Sequence, residues 1–225
     1  MYYLSPGVLS VQSILDRETT ASYTLKVEAR DGGNPFKDTL VDVQITISDV
    51  NDNAPLFDRS KYGASISEAA SSGTSVVTVL AQDNDIGLNK EITYDIKTGN
   101  EDGTFNLDGR TGLITLNQTL DHEKKAAYAL VVTATDHGFP QLSSSVEVMV
   151  TVGDVNDNPP SFPHSLYNCT VAENLANGVA VCFVTATDLD SGLNGQLFYS
   201  ITSGNDGNAF VINTVSYTPQ TFSLV

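Results

Sequence analysis

Basic residues are scarce: 11 Lys and Arg stand against 27 Asp and Glu, for a net charge of −16. A surface of that sign repels phosphate backbones and anionic lipid headgroups, which argues against nucleic acid or a membrane face as partner. No run approaches the ~20 apolar residues of a membrane span, and the opening Met1-Tyr2-Tyr3-Leu4-Ser5-Pro6 lacks the basic and apolar regions of a secretory leader. Two Cys and three His make no cluster of soft-metal ligands. His122, His137 and His164 are scattered, and no HExxH, GxSxG or phosphate-loop pattern accompanies them. Without a nucleophile–base pair the chain is not expected to be an enzyme or to hold a small-molecule substrate. Sustained helical periodicity is missing too.

What is present is a repeat. Asp49-Val50-Asn51-Asp52-Asn53 returns as Asp154-Val155-Asn156-Asp157-Asn158, an offset of 154 − 49 = 105 residues. The same offset carries Asp16-Arg17-Glu18 onto Asp121-His122-Glu123, Asp31 onto Asp136, Glu68 onto Glu173, and Asp83 and Asp85 onto Asp188 and Asp190. Framework residues keep the phase without an insertion: Phe57 with Phe162, Tyr62 with Tyr167, Tyr94 with Tyr199. An acidic protein is ordinarily just a solvated one, but a generic surface does not need its acids at fixed positions. The repeated feature is a set of oxygen donors.

Alternation of period two predicts all-β architecture. Thr39-Val41-Val43-Ile45-Ile47 interleaves with a mostly polar row, and Tyr128-Leu130-Val132-Ala134 does the same. In the middle unit strands are expected near 63–67, 75–81, 91–97, 104–107, 112–116, 127–134 and 144–153. Seven short strands divided by Gly, Asn, Asp and Pro turns fit a β-sandwich of about 100 residues. Pro55 and the Pro159-Pro160 pair follow the acidic pentapeptides, and proline cannot continue a central strand, so they mark joints. The expected units are 1–53, the end of one repeat; 54–158, a whole repeat; and 159–225, the start of another with a divergent tail from about 213. Residues 214–225 have no counterpart of Gly109-Arg110-Thr111-Gly112-Leu113, which suggests a fragment or an unusual splice end.

Cys169 and Cys182 flank an expected hairpin centred between Leu175 and Ala176. They are either two buried thiols or a disulfide, the latter suiting an oxidising, extracellular setting. Asn117-Gln118-Thr119 and Asn168-Cys169-Thr170 are candidate glycosylation acceptors, a pattern that also arises by chance.

Carboxylates and amides at a short joint suit a hard cation such as Ca²⁺, which takes six to eight oxygens. An EF-hand fails: its sixth and twelfth positions, Gly and Glu, would fall on Ala54 and Ser60, or on Pro159 and Ser165. Asx turns would account for single acids but not for seven converging at each joint. Seven carboxylates within a few ångström repel by several kcal/mol on order-of-magnitude Coulomb estimates.

The motifs LDRE/LDHE, A-x-D-x-G, DVNDNAP/DVNDNPP, ISE/VAE and DNDIGLN/DLDSGLN resemble those of extracellular cadherin repeats, over residues 4 to about 212. The resemblance implies seven-stranded Greek-key sandwiches with three Ca²⁺ ions at each junction, stiffening a rod-like ectodomain. At the second junction it implies Glu68, Asp121, Glu123 and Asp157 for the outermost ion. Glu68, Glu123, Asp154, Asp157, Asp190 and the Val155 carbonyl would hold the middle one. Asn156, Asp188, Asp190 and the carbonyls of Asn158 and Asn194 would hold the third. At the first junction Asp16, Glu18, Asp49, Asp52, Asp83, Asp85 and Asp136 are present without a counterpart of Glu68. There the third site (Asn51, Asp83, Asp85, Asp136, carbonyls of Asn53 and Asn89) is expected to be the best formed. Asp31 and Glu173 look like ligands of neighbouring junctions. The implied function is Ca²⁺-dependent cell–cell adhesion on the extracellular side of the plasma membrane, through homophilic or heterophilic contacts with other cadherin ectodomains, in cis or in trans. The alternatives are a non-adhesive spacer and a secreted Ca²⁺-binding fragment. With no Trp anywhere, these units cannot supply the strand-swapping Trp anchor of conventional cadherins, and the style is closer to protocadherin or Fat/Dachsous-like large cadherins.

Overall fold

A computed structural model describes residues 6–213 of the chain. The expected divergence of Thr214–Val225 therefore lies outside the described residues. Two strands precede the first joint: β1 (Ser22–Arg30) and β2 (Asp38–Thr46). The middle unit contributes β3 (Leu56–Phe57), β4 (Lys61–Ser67), β5 (Ser75–Thr78), β6 (Ala81–Gln82), β7 (Thr93–Thr98), β8 (Phe105–Leu107), β9 (Leu113–Leu116), β10 (Ala127–Thr135) and β11 (Ser143–Gly153).

These strands build an all-β sandwich. One sheet runs β4-β11-β10-β7 and the other β5-β9-β8. β10 and β11 are antiparallel, whereas β4 lies parallel to β11 along Lys61 to Ser67. That parallel pair joins the start of the unit to its end. It brings Glu68, just past β4, to the C-terminal joint, where its amide donates to the Gly153 carbonyl at 3.0 Å.

The core follows from alternation. Leu130, Val132 and Ala134 of β10 face inward beside Val146, Val148, Val150 and Val152 of β11, and meet Ile114 and Leu116 of β9. Each Val, Leu or Ile among them contributes roughly 1.5–3 kcal/mol by leaving water. Tyr62, Tyr94 and Phe57 close one end, with the Tyr62–Phe57 rings edge to face at 6.4 Å. Gly112, at φ +71°, turns the chain between β8 and β9 against the Val79 carbonyl, where a side chain would overlap the backbone.

The repeat extends to register. β1 pairs with β2 through Ser22↔Thr46 and Tyr23↔Ile45, and β10 pairs with β11 through Ala127↔Thr151 and Tyr128↔Val150, the same pairs displaced by 105. Two expectations need correction. The single strand expected over 75–81 is divided: β5 pairs with β9, then the chain crosses over and β6 pairs with β3. The Tyr62 hydroxyl holds the crossover, accepting from the Leu80 amide at 2.9 Å.

The hairpin expected around Leu175–Ala176 does not form either. Positions Cys169 and Cys182 correspond to Ala64 in β4 and Val77 in β5, which lie in different sheets. Their ladder partners, β11 and β9, would fall at 248–258 and 218–221, outside the described residues. Cys169 and Cys182 are nevertheless bonded, with a Cα–Cα distance of 5.8 Å, and both are exposed rather than buried thiols. The bond thus links positions equivalent to opposite sheets. Among the described residues, no helix is long and apolar enough to cross a membrane.

Candidate metal centres at the two junctions

Each junction is assembled from three segments: the LDxE turn at the end of one unit, the acidic pentapeptide, and the D-x-D loop of the next unit. At the first junction this brings carboxylate oxygens of Glu18, Asp49 and Asp85 within 4.8 Å of one another. At the second it does the same for Glu123, Asp154 and Asp190, the identical positions 105 residues on. A further group there joins Glu68, Glu123 and Asp157.

The backbone explains how so many like charges are held. Asp85 is fully buried; the Asn53 side chain donates to it at 2.8 Å and its own amide donates to Asp83 at 2.9 Å. Asp190 repeats this, accepting from Asn158 Nδ2 at 2.8 Å while its amide donates to Asp188 at 3.0 Å. Asp49 accepts from Asn89 Nδ2 at 2.8 Å, and Asp154 from Asn194 Nδ2 at 2.8 Å. Asn89 and Asn194, expected to contribute carbonyls, also orient a neighbouring carboxylate through their side chains. Glu68 is buried and accepts from the amides of His122 (2.5 Å) and Val155 (2.6 Å).

Asp136 is buried and takes amides from Gly138 (3.0 Å) and Leu142 (3.1 Å). Asn51 donates to it at 3.0 Å and to the Pro140 carbonyl at 2.6 Å. The corresponding partner of Asn156 would fall at position 241, beyond residue 225. Asp52 and Asp157 each accept at 2.8 Å and 2.7 Å from the adjacent asparagine, Asn53 and Asn158. Asp16 and Asp121 are expected ligands that join none of the three groups. Asp16 caps its own turn through the amides of Glu18 and Thr19, and Asp121 is engaged by Lys124 at 2.6 Å.

Hydrogen bonding leaves oxygens over. Among the described residues, the buried side-chain polar atoms without a hydrogen-bond partner are Asn51 Oδ1, Asp83 Oδ2 and Glu123 Oε1. All are acceptors, and all belong to residues expected as ligands. A buried acceptor left bare costs about 1–3 kcal/mol, so three at the junctions are compatible with a positive partner there. Crowding acts the same way on protons. Burial, then the charges of Asp85 and Asp136, push the Asp83 carboxyl up from its ordinary value. Burial and the charges of Glu68, Asp190, Asp121 and Asp154 do so for Asp157. An all-oxygen donor set of carboxylates, amides and carbonyls fits Ca²⁺ and not a soft metal.

Two contributors carry no signal in donor spacing. Gly138 sits so close to Asn51 that a Cβ there would overlap the Asn51 side chain. Gly138→Ala is expected to push Asn51 off Asp136 and cost about 1–3 kcal/mol, seen as a lower melting temperature with faster amide exchange confined to residues 49–54. The other contributor is Arg17, whose guanidinium lies among the carboxylates of the first junction. Histidines lie apart from any such role: His122 Nδ1 contacts the Val152 carbonyl at 2.9 Å, and His137 contacts Thr93 at 2.7 Å.

Repeated units whose joints are lined by in-phase carboxylates define a tandem modular β-protein with acidic linkers. The family model for the cadherin domain matches residues 62–153 and 167–218, and the chain belongs to that family. It is 46% identical over 209 residues to the protocadherin-like wing polarity protein stan of Drosophila melanogaster, covering 92% of this chain and 6% of that protein. To protocadherin Fat 1 of Homo sapiens it is 41% identical over 210 residues, covering 93% and 5%. The chain thus spans a small fraction of these relatives. Among solved structures, the protocadherin GammaB4 extracellular domain aligns with a TM-score of 0.79 at 31% identity, over 89% of this chain and 34% of that one. Mouse cadherin-23 EC22–24 aligns at 0.72 and 34%, over 82% and 59%.

Proposed function

We propose that this chain is a segment of an extracellular adhesion rod whose joints are stiffened by Ca²⁺, with units at 1–53, 54–158 and 159–225. The observation that carries the reading is the set of bare buried oxygens on Asn51, Asp83 and Glu123, all on residues of the acidic joint motifs. Glu18, Asp49 and Asp85 would hold an ion at the first junction; Glu68, Glu123, Asp154, Asp157 and Asp190 would hold ions at the second. What bound Ca²⁺ supplies is charge: it cancels repulsion among acids that the fold forces together, and it cross-links two units through their linker. Asp16, Asp121, Asn156 and Asp188 would join once their turns reorient.

The parent protein would stand on the outer side of the plasma membrane and meet other cadherin ectodomains, as its relatives' names suggest. The exposed Cys169–Cys182 bond and the exposed Asn117 and Asn168 suit that setting. Small-angle scattering of the chain tests the mechanical claim. In millimolar Ca²⁺ the maximum dimension should exceed that in chelator, with a narrower spread of interdomain angles; superimposable curves would refute it.

A further inference from the structure

The two junctions are not electrically equivalent, and one of the differences lies in the middle residue of the LDxE turn. Arg17 and His122 occupy the same position of the LDxE turn, 105 residues apart. The Arg17 Nε donates to Asp49 and its Nη2 donates to Glu18. The same Nη2 reaches the Asn84 carbonyl in the loop of the middle unit at 2.9 Å. One guanidinium therefore touches the first unit, the linker and the middle unit at once. Its side chain is 13% exposed, beside Asp49 at 12% and Glu18 at 22%.

Glu18 and Asp49 are two of the three carboxylates grouped at that junction. At the second junction, the His122 ring turns away to the Val152 carbonyl, and Glu123 Oε1, the counterpart of a Glu18 oxygen, is buried with no partner. Among the described residues, no other Lys or Arg forms an ion pair with a member of the three grouped sites.

We propose that Arg17 is a tethered counter-cation of the first junction, closing it without a metal and competing with the ion that would bridge Glu18 and Asp49. The proposal rests on the Ca²⁺-junction reading and adds a hierarchy to it. A guanidinium presents a planar fork of donors that matches carboxylates in pairs and is only weakly hydrated, so it substitutes well for a metal as a local bridge. An ion can enter only in the fraction of molecules where Arg17 has swung out, and its apparent affinity falls by that fraction. The first junction is accordingly semi-closed and weakly calcium-responsive. The second is open in chelator and takes ions first.

Hydrogen–deuterium exchange on the 225-residue chain reads both linkers separately, at 49–54 and 154–158, with exchange in β10 and β11 reporting that the middle unit is folded. In chelator the first linker should exchange about tenfold more slowly than the second. Arg17→Met keeps the apolar stem and should abolish that protection, while shifting the Ca²⁺ midpoint of the first linker down by about tenfold. His122→Arg should do the reverse at the second linker. If Arg17→Met leaves the chelator-state exchange and the first midpoint unchanged while the second linker still responds to Ca²⁺, the tethered-cation proposal is overturned and the junction reading survives. If neither linker of the native chain responds to Ca²⁺, both are overturned.

Discussion

Millimolar Ca²⁺ added to the chelator-treated chain is expected to raise the melting temperature of the middle unit by about 10–20 °C. A ligand that binds only the folded state stabilises it by about 2.7 kcal/mol when its free concentration is a hundred times Kd. For a domain of roughly this size each kcal/mol moves the midpoint by about 4–8 °C. The middle unit is flanked by both junctions, so it has candidate ligands on each end: buried Asp83, Asp85 and Asp136 at one, Glu68 and Glu123 at the other. Scanning calorimetry in chelator and in calcium buffer checks this. An equal concentration of Na⁺ matched for ionic strength should give only a small shift, because screening weakens exposed pairs and leaves buried ones such as Asp83, Asp85 and Asp136 nearly untouched. Identical melts in all three buffers would remove the cation from the stability of the fold.

The same dependence explains why the middle unit was the legible part of the sequence. Its strands carry their own periodicity, and the partners β4–β11 and β10–β11 both lie within 54–158, so alternation alone located most of its strands though not their pairing. The split of 75–81 was hidden because Val76 to Ala81 read as one apolar run, and only the Tyr62 hydroxyl at Leu80 reveals where the chain changes sheets. The mistaken hairpin around Cys169 and Cys182 has a related cause. Adjacent strands in sequence were assumed to pair, whereas β4 and β5 belong to opposite sheets and each needs a partner far along the chain.

Of the expected ligands, Glu18, Asp49 and Asp85 at one joint and Glu68, Glu123, Asp154, Asp157 and Asp190 at the other lie close together, and asparagine side chains orient Asp49, Asp85, Asp154 and Asp190. Asp16 and Asp121 did not, because a free carboxylate beside turn amides takes those first. Arg17 was visible in the LDRE motif but silent, since spacing arguments look for oxygen and not for a cation already attached to the chain.

Glu123 is the residue whose replacement should change sign with the buffer. It belongs to both three-carboxylate groups of the second junction, and one of its oxygens is buried without a partner. Burial comes first among the influences that push its proton affinity up, with the neighbouring Asp154 and Glu68 adding to it. Glu123→Gln keeps the shape, removes one negative charge and offers an amide donor to Asp154. In chelator the variant should therefore be more stable than the native chain, by about 1 kcal/mol, the usual net value of one satisfied hydrogen bond. In Ca²⁺ the order should invert. Loss of a side chain that only orients a ligand costs metal sites about 10–100-fold in affinity, and loss of a carboxylate common to both groups should cost at least the upper end of that range. Asp102→Ala serves as the control. Asp102 sits on a turn with Thr104 and Lys125, away from the grouped carboxylates, and its removal should leave the Ca²⁺ titration unchanged. Calorimetric titration of the three proteins, paired with melts in each buffer, gives the comparison. A Glu123→Gln chain that binds Ca²⁺ like the native one, or that is less stable in chelator, would mean that the crowding of acids at this joint is not what the ion relieves.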